Sequence, residues 1–197
     1  MRPNCQGGAF ICRFADDFVC GFQLKGDAEG FYQKLPERLA KFSLQVAPEK
    51  TGIIRFSRFH PSRKRGFTFL GFEFNWFFDH NGEKRVLRRT SRKKLHGACR
   101  RIKEWIKGNR HLKGKWFVKG LNRRLRGHYN YYGLRGNLMS LTRFYRWAIG
   151  CSYKWLNRRG GKRNSFNWKS FLPALERLGI AVPLITEKRR HPRVFID

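Results

Sequence analysis

Acidic residues are scarce in this 197-residue chain, and their scarcity restricts the partners that it can have. Asp and Glu number 13 against 44 Lys and Arg, which gives a formal net charge of +31. Between Glu104 and Glu176 there is no acidic residue at all. The basic side chains of that stretch therefore have no acidic neighbour in sequence, and a polyanion is the expected partner.

Long apolar runs and cysteine motifs are also missing. No apolar stretch of about 18 uncharged residues occurs, so we expect no membrane-spanning helix. Charged residues interrupt the N-terminal region too early for a secretory signal, and we expect an intracellular, cytoplasmic protein. No C-x-x-C spacing is present, which argues against a disulfide framework or a zinc finger and favours apolar packing of the cysteines. The cysteines are Cys5, Cys12, Cys20, Cys99 and Cys151.

The chain nevertheless has ample material for a folded core. Hydrophobic residues make up 41% of it and aromatic residues 16%, which argues against disorder and provides rings for base stacking. The charge is uneven, because residues 1–84 hold 13 basic and 9 acidic residues while residues 85–197 hold 31 and 4. We therefore expect a part that carries the acids, followed by a strongly basic part.

The first part reads as an α+β unit built on antiparallel strands. Aromatic and β-branched residues predict strands at 9–13 and 18–23, which leaves Asp16 and Asp17 at the tip of a hairpin. A helix is predicted from Ala28 to Phe42, kinked or starting late because of Pro36. Further strands are predicted at 44–46, 53–56 and 67–78. A turn is predicted at 48–52, and a second hairpin turn is predicted at 79–82.

The second part reads as a helical module over residues 85–180. Ser91 is a plausible N-cap for a basic amphipathic helix through Leu95 and Ile106. A second helix, from Trp116 to Tyr132, is expected to be interrupted by Gly120 and Gly127. Two more are predicted at 138–155 and 168–178, and a flexible basic loop is predicted at 157–162.

The adjacent carboxylates of Asp16 and Asp17 are the first candidate site. Two anions on a tight turn repel each other, and a cation relieves the repulsion. Oxygen ligands on a rigid turn suit Mg²⁺, which combines one or two carboxylates with substrate phosphates. A solvated turn is the alternative, because turns favour Asp.

Four segments in order resemble motifs of the group II intron reverse transcriptase/maturase family. Residues 14–19, Phe-Ala-Asp-Asp-Phe-Val, resemble the metal-binding motif, and residues 44–51 resemble the next palm motif, whose lysine falls on Lys50. Residues 69–72, Phe-Leu-Gly-Phe, resemble the primer grip. The basic helical module is similar to the thumb, or maturase-specific domain, with residues 127–133 as its most recognisable segment.

The resemblance implies RNA-directed DNA polymerase chemistry and assistance to intron splicing and mobility. Two Mg²⁺ ions would sit on palm carboxylates that include Asp16 and Asp17, one activating the primer hydroxyl and the other steadying the deoxynucleotide triphosphate. Lys50 would lie near the triphosphate and assist the leaving pyrophosphate; a solvated turn lysine is the alternative.

Two further groups of residues are implied to contact nucleic acid. Leu70 and Gly71 would form the primer grip, where glycine lets backbone approach the primer, although a glycine bulge in a packed strand is also compatible. A second group would bind intron RNA or an RNA/DNA template-primer through phosphate contacts and stacking, with some of its aromatic rings facing the core instead. That group consists of Arg123, Arg124, Arg126, His128, Tyr129, Tyr131 and Tyr132.

Two departures from the family pattern qualify the resemblance. Phe14 stands where the family usually has Tyr, and no acidic residue precedes Asp16 to complete the palm metal site. We therefore expect a partial palm at 1–89, a thumb at 90–180 and a tail at 181–197, without polymerase activity by this chain alone. The alternatives are a non-enzymatic maturase remnant that binds intron RNA, and a split-gene piece that works with an upstream half-protein.

Overall fold

A computed structural model describes residues 5–59, 65–158 and 166–188. Within these residues the chain contains five α-helices and two small antiparallel sheets, which confirms a mixed α and β fold. It divides between Val86 and Leu87 into two compact units. None of the described helices has an apolar stretch long enough to cross a membrane.

The first hairpin carries the acidic pair as the sequence predicts. Strand β1 (Ala9–Phe14) pairs antiparallel with β2 (Asp17–Phe22), and Phe14 lies opposite Asp17. Ala15 and Asp16 form the two-residue turn, and Ala15 has a φ of 53°. A side chain in this left-handed region is unusual outside Gly, Asn and Asp, so the hairpin holds a strained residue beside its carboxylates.

One helix directly follows this hairpin. Helix α1 (Lys25–Ala40) runs through Pro36, so it does not start late. The Asp27 carboxylate in its first turn accepts hydrogen bonds from the backbone N–H groups of Gln6 and Gly7 at 3.1 and 2.9 Å. These bonds fix the segment before β1 to the start of the helix.

The strands predicted at 44–46 and 53–56 are wrong. Both segments are irregular, and a short 3-10 turn at Pro48–Lys50 lies between them, where a turn was predicted. Apolar and β-branched residues favour a strand only where a neighbouring strand offers a surface to pair with. In the structure neither segment joins a ladder.

The second sheet corrects the single strand predicted over 67–78. Strands β3 (Phe67–Phe69), β4 (Phe72–Phe78) and β5 (Lys84–Thr90) follow one another in the order β3-β4-β5. Leu70 and Gly71 form a tight turn between β3 and β4 with φ values of 50° and 80°. Two consecutive positive φ angles suit the turns that join right-twisted strands, and glycine adopts one of them without strain.

The turn predicted at residues 79–82 is confirmed. The Asp79 carboxylate accepts hydrogen bonds from the backbone N–H groups of Asn81 and Glu83, both at 2.9 Å. Gly82 supplies a φ of 78°. The Asp79 side chain thereby adds to the backbone hydrogen bonds of the turn, as Asp commonly does in turns.

Four helices form the second unit, in the order that the sequence predicts. They are α2 (Arg92–Asn109), α3 (Gly114–Tyr132), α4 (Leu138–Leu156) and α5 (Trp168–Arg177). Ser91 caps α2 as expected, because its hydroxyl accepts a bond from the Lys94 N–H at 3.4 Å. The interruption predicted in α3 is wrong, since the helix continues through Gly120 and Gly127. Most of the basic loop predicted at 157–162 lies outside the described residues.

The core of the helical unit combines apolar side chains from all four helices. Its most buried large members lie on α2, α3, α4 and α5: Ile106, Phe117, Leu121, Leu125, Leu141 and Phe171. A buried amide, Asn137, ties the start of α4 to Thr90, accepting from the Thr90 N–H and donating to its hydroxyl, both at 2.9 Å. Burial of apolar side chains and a buried amide with its hydrogen bonds satisfied thus both stabilise this unit.

Residues 179–188, which we call the C-terminal strap, lie along α3. The Asn122 amide donates to Gly179 O and accepts from Ala181 N–H, both at 2.7 Å. Further along, the Gly133 carbonyl accepts from the N–H groups of Thr186 and Glu187 at 2.9 and 3.0 Å. The strap therefore meets otherwise unpaired groups at the C-terminal end of α3.

Candidate nucleic-acid interface

The acidic pair lies at the exposed tip of the β1-β2 hairpin. Asp16 occupies the turn and Asp17 begins β2, and both side chains are exposed. Arg13 donates a hydrogen bond from Nε to the Ala15 carbonyl at 2.8 Å, which places a cation on the same turn. The turn therefore presents two anions to solvent, with one cation beside them.

The described residues do not fit a complete two-ion magnesium site. Among them, no group of three or more His, Cys, Asp or Glu residues is close enough together to hold a metal ion. Asp16 and Asp17 are two carboxylates on one turn, and such a pair suits Mg²⁺ only together with phosphate or water ligands. A bound ion would supply charge stabilisation to phosphate there.

The remaining candidates in the first unit lie on two turns. Lys50 ends the 3-10 turn with an exposed side chain, and its backbone N–H donates to Ala47 O at 3.0 Å. Leu70 is half-buried and Gly71 is buried in the β3-β4 turn. The roles of these three residues toward triphosphate and primer stay predictions.

The three arginines predicted on α3 all have exposed side chains. The Arg124 guanidinium carbon lies 4.1 Å from the centre of the Trp105 ring, and Nη1 donates to the Gly120 carbonyl at 3.1 Å. Burial, followed by the charge of Arg123, lowers the pKa of Arg124. The planar cation is therefore oriented against an aromatic face, as Arg often is in nucleic-acid recognition.

His128 and Tyr129 are buried in the core, as was expected for some of the predicted aromatic rings, and an RNA contact of His128 stays a prediction. Tyr129 is 2% exposed and its hydroxyl donates to Ala181 O at 3.4 Å, so its ring cannot stack on a base. The His128 ring stacks on Phe144 with 3.9 Å between ring centres. Burial, assisted by the charge of Arg101, lowers the pKa of His128 to about 4, so its imidazole is neutral at pH 7.

Tyr131 and Tyr132 form an aromatic pair at the end of α3. Their ring centres are 4.7 Å apart in an edge-to-face arrangement, and Tyr131 is 55% exposed. Tyr132 is half-buried and its ring also approaches that of His128. Tyr131 thus has the most exposed ring of the predicted tyrosines.

Sequence reasoning did not identify a second cation and aromatic cluster in the helical unit. Lys107, Arg110 and Arg158 each place their charge 5.5 Å from the centre of the Trp155 ring. The three-residue spacing between Trp155 and Arg158 at the end of α4 could have indicated part of it. The contacts of Lys107 and Arg110, at the end of α2, could not have been predicted from the sequence, because they depend on how the helices pack.

Comparison with known proteins leaves the family of the chain open. No family model, no curated protein and no solved structure matches it.

Proposed function

We propose that this chain binds structured RNA through its helical unit, as part of a group II intron reverse transcriptase/maturase. In this proposal residues 1–89 form part of a palm, residues 90–180 form a thumb, and intron RNA is the ligand. The bacterial cytoplasm is the proposed location. Support comes from the four motif resemblances and from the mixed α and β organisation with an acidic hairpin turn.

One observation carries the RNA-binding proposal. Helices α3 and α4 contain no acidic residue, yet they expose Arg123, Arg124 and Arg126. The guanidinium of Arg124 is oriented by Trp105 and Gly120 rather than by a carboxylate. Phosphates would supply the missing counter-charge, and releasing condensed counterions would drive binding.

Phosphate contacts alone would bind any nucleic acid, so preference for one RNA requires further contacts. The exposed rings of Trp116, Tyr131 and Trp147 provide surfaces on which unpaired bases could stack. Folded RNAs expose such bases in loops and bulges, whereas a regular duplex keeps its bases stacked. A folded intron RNA would therefore bind more tightly than a duplex of equal charge.

We propose that DNA synthesis is not an activity of this chain alone. In this proposal Asp16 and Asp17 would provide two ligands of the palm site, and a second protein would provide the others together with part of the triphosphate site. The competing candidate is a maturase remnant that binds intron RNA with no enzymatic role.

Binding of the purified chain to a folded group II intron RNA and to an unrelated RNA duplex, measured over a salt series, tests the proposal. We expect tighter intron binding that survives moderate salt. Replacing Arg123 and Arg126 with Gln should reduce the salt dependence by about one unit of logarithmic slope for each phosphate that is no longer neutralised. Lys41→Gln, an exposed residue at the end of α1, is the control.

Two results would contradict parts of the proposal. Equal affinity for both RNAs with a steep loss in salt would leave only nonspecific charge attraction. Primer extension by the purified chain with Mg²⁺ and triphosphates, abolished by Asp16→Asn, would show that it polymerises DNA without another protein.

A further inference from the structure

A cleft of about 330 Å³ opens among helices α2, α3 and α4. Its lining consists of Ala98, Arg101, Ile102, Arg124, His128 and Phe144. This volume lies at the small end of the range of pockets that take small molecules. It suits one small group and excludes a double helix.

The cleft combines an apolar floor with a cationic rim. Ala98, Ile102 and Phe144 are 7%, 2% and 3% exposed, and they form the floor. Arg101 and Arg124 have exposed side chains and provide two charges at the rim. A bare inorganic anion would leave the floor uncovered, and a purely apolar ligand would leave both guanidinium groups without a counter-charge.

His128 supplies a polar atom with no partner among the described residues. Its side chain is nine-tenths buried, and its Nε2 has no hydrogen bond there although solvent does not reach it. An unsatisfied buried polar group of this kind carries a free-energy cost. A ligand that bonds to this nitrogen would recover part of that cost.

We propose that this cleft receives one unpaired nucleotide of bound RNA. The base would cover the apolar floor, a polar group of the nucleotide would bond to His128 Nε2, and the adjoining phosphate would lie between Arg101 and Arg124. This inference rests on the RNA-binding function proposed above. It adds to that function an RNA feature, a base outside the stack, which a nucleotide in a regular duplex does not offer.

The ring stacking around His128 supports this arrangement. The Phe144 ring covers one face of the imidazole and the Tyr132 ring lies 4.7 Å from it, so the histidine is held in place before any ligand arrives. Arg124 is likewise held by Trp105. Because solvent does not reach His128 Nε2, binding requires the atoms that cover this nitrogen to move, but the orientations of His128 and Arg124 are already fixed, which limits the conformational entropy lost.

Three RNA hairpins that share one stem test the inference. The first has a single bulged 2-aminopurine, the second has an abasic residue at the bulge, and the third is fully paired. We expect the chain to bind the first about tenfold more tightly than the third, and to change the 2-aminopurine fluorescence as the base leaves water. The abasic hairpin should bind like the paired one.

Two variants alter the cleft and one provides a matched control. His128→Phe keeps a ring against Phe144 but removes the nitrogen, and Arg101→Gln removes one rim charge, so both should lose the preference for the bulge. Arg126→Gln removes an exposed charge of α3 outside the cleft and should weaken all three hairpins equally. Thermal unfolding of each variant distinguishes misfolding from the removal of one interaction with RNA.

The outcomes distinguish this inference from the function on which it rests. Equal binding of the bulged, abasic and paired hairpins by the unaltered chain would overturn the cleft and leave RNA binding intact. Equal binding of the bulged and abasic hairpins, with both above the paired one, would overturn insertion of the base. Binding to none of the three at low salt would overturn the proposed function itself.

Discussion

At the scale of single residues, Gly120 matters because of the side chain that it lacks. A Cβ atom there would lie 2.7 Å from Cζ2 of Trp105, which is closer than carbon atoms in contact approach. The indole can therefore lie against α3, and Arg124 covers it at 4.1 Å. A residue that usually weakens a helix here brings a tryptophan and an arginine together.

Replacing Gly120 with Ala should destabilise the helical unit, whereas the same change at Gly127 should stabilise it. Nothing lies within 4 Å of a Cβ at Gly127, so only the helix propensity changes there, by about 1 kcal/mol in favour of Ala. At Gly120 the gain is offset by displacement of Trp105, and we expect a net loss of about 1–2 kcal/mol. Urea unfolding of both variants measures the difference; equal stabilisation would contradict the close approach.

At the scale of elements, periodic segments could be predicted from sequence and segments that depend on pairing could not. Apolar residues at helical spacing located all four helices of the second unit, because one buried face is a local property of the sequence. The segments predicted as strands at 44–46 and 53–56 have suitable residues but join neither sheet. The aromatic run around Gly71 is similar on both sides of the turn, so composition did not reveal two strands.

The features of the candidate site also divide into those that the sequence predicts and those that depend on helix packing. The exposed turn of Asp16 and the exposed arginines of α3 are surface properties that charge patterning indicates. The burial of Tyr129, the cation cluster at Trp155 and the cleft beside His128 depend on which helix faces which. Spacing within one helix does not contain that information.

The Glu187 carboxylate holds the strap to Arg135 and Arg88. It accepts from the Arg135 N–H at 2.8 Å and from Arg88 Nη2 at 3.0 Å. The Arg135 backbone bond, together with Arg88, lowers the pKa of Glu187. A carboxylate whose pKa is lowered by folding adds stability above its unfolded pKa and loses it as the pH falls.

Glu187→Gln should therefore destabilise the helical unit by about 1 kcal/mol at pH 7. The difference from the unaltered chain should shrink as the pH falls below the ordinary pKa of 4.5. Unfolding free energies at several pH values measure this, with the exposed Glu104→Gln as the control. A difference that did not depend on pH would show that the carboxylate charge does not hold the strap.

At the scale of the whole molecule, positive charge dominates. Residues 85–197 hold 31 basic and 4 acidic residues, so the helical unit folds against its own repulsion. The free energy gained by burying residues such as Ile106 and Leu121 must exceed the free-energy cost of that repulsion. The fold therefore tolerates an excess of positive charge that its own acidic residues do not balance.

Added salt should raise the unfolding temperature of this protein, because screening weakens repulsion between cations. Raising NaCl from about 50 mM to about 500 mM shortens the screening length severalfold and should raise the transition by several degrees. A chain with Arg123 and Arg126 replaced by Gln should gain less. A transition that salt lowers or leaves unchanged in calorimetry would indicate that repulsion is not a major cost.

The strap also has a consequence for synthesis on the ribosome. Asn122 lies in α3 and Gly133 directly follows it, but the groups that pair with them arrive only when residues 179–187 have been made. A nascent chain that ends after α4 lacks both those partners and the buried rings and methyl groups of Phe171, Leu175 and Ile180. The helical unit therefore completes its fold only after residue 187 has been made, and a ribosome that stalls before this point carries an open apolar surface of the kind that chaperones bind.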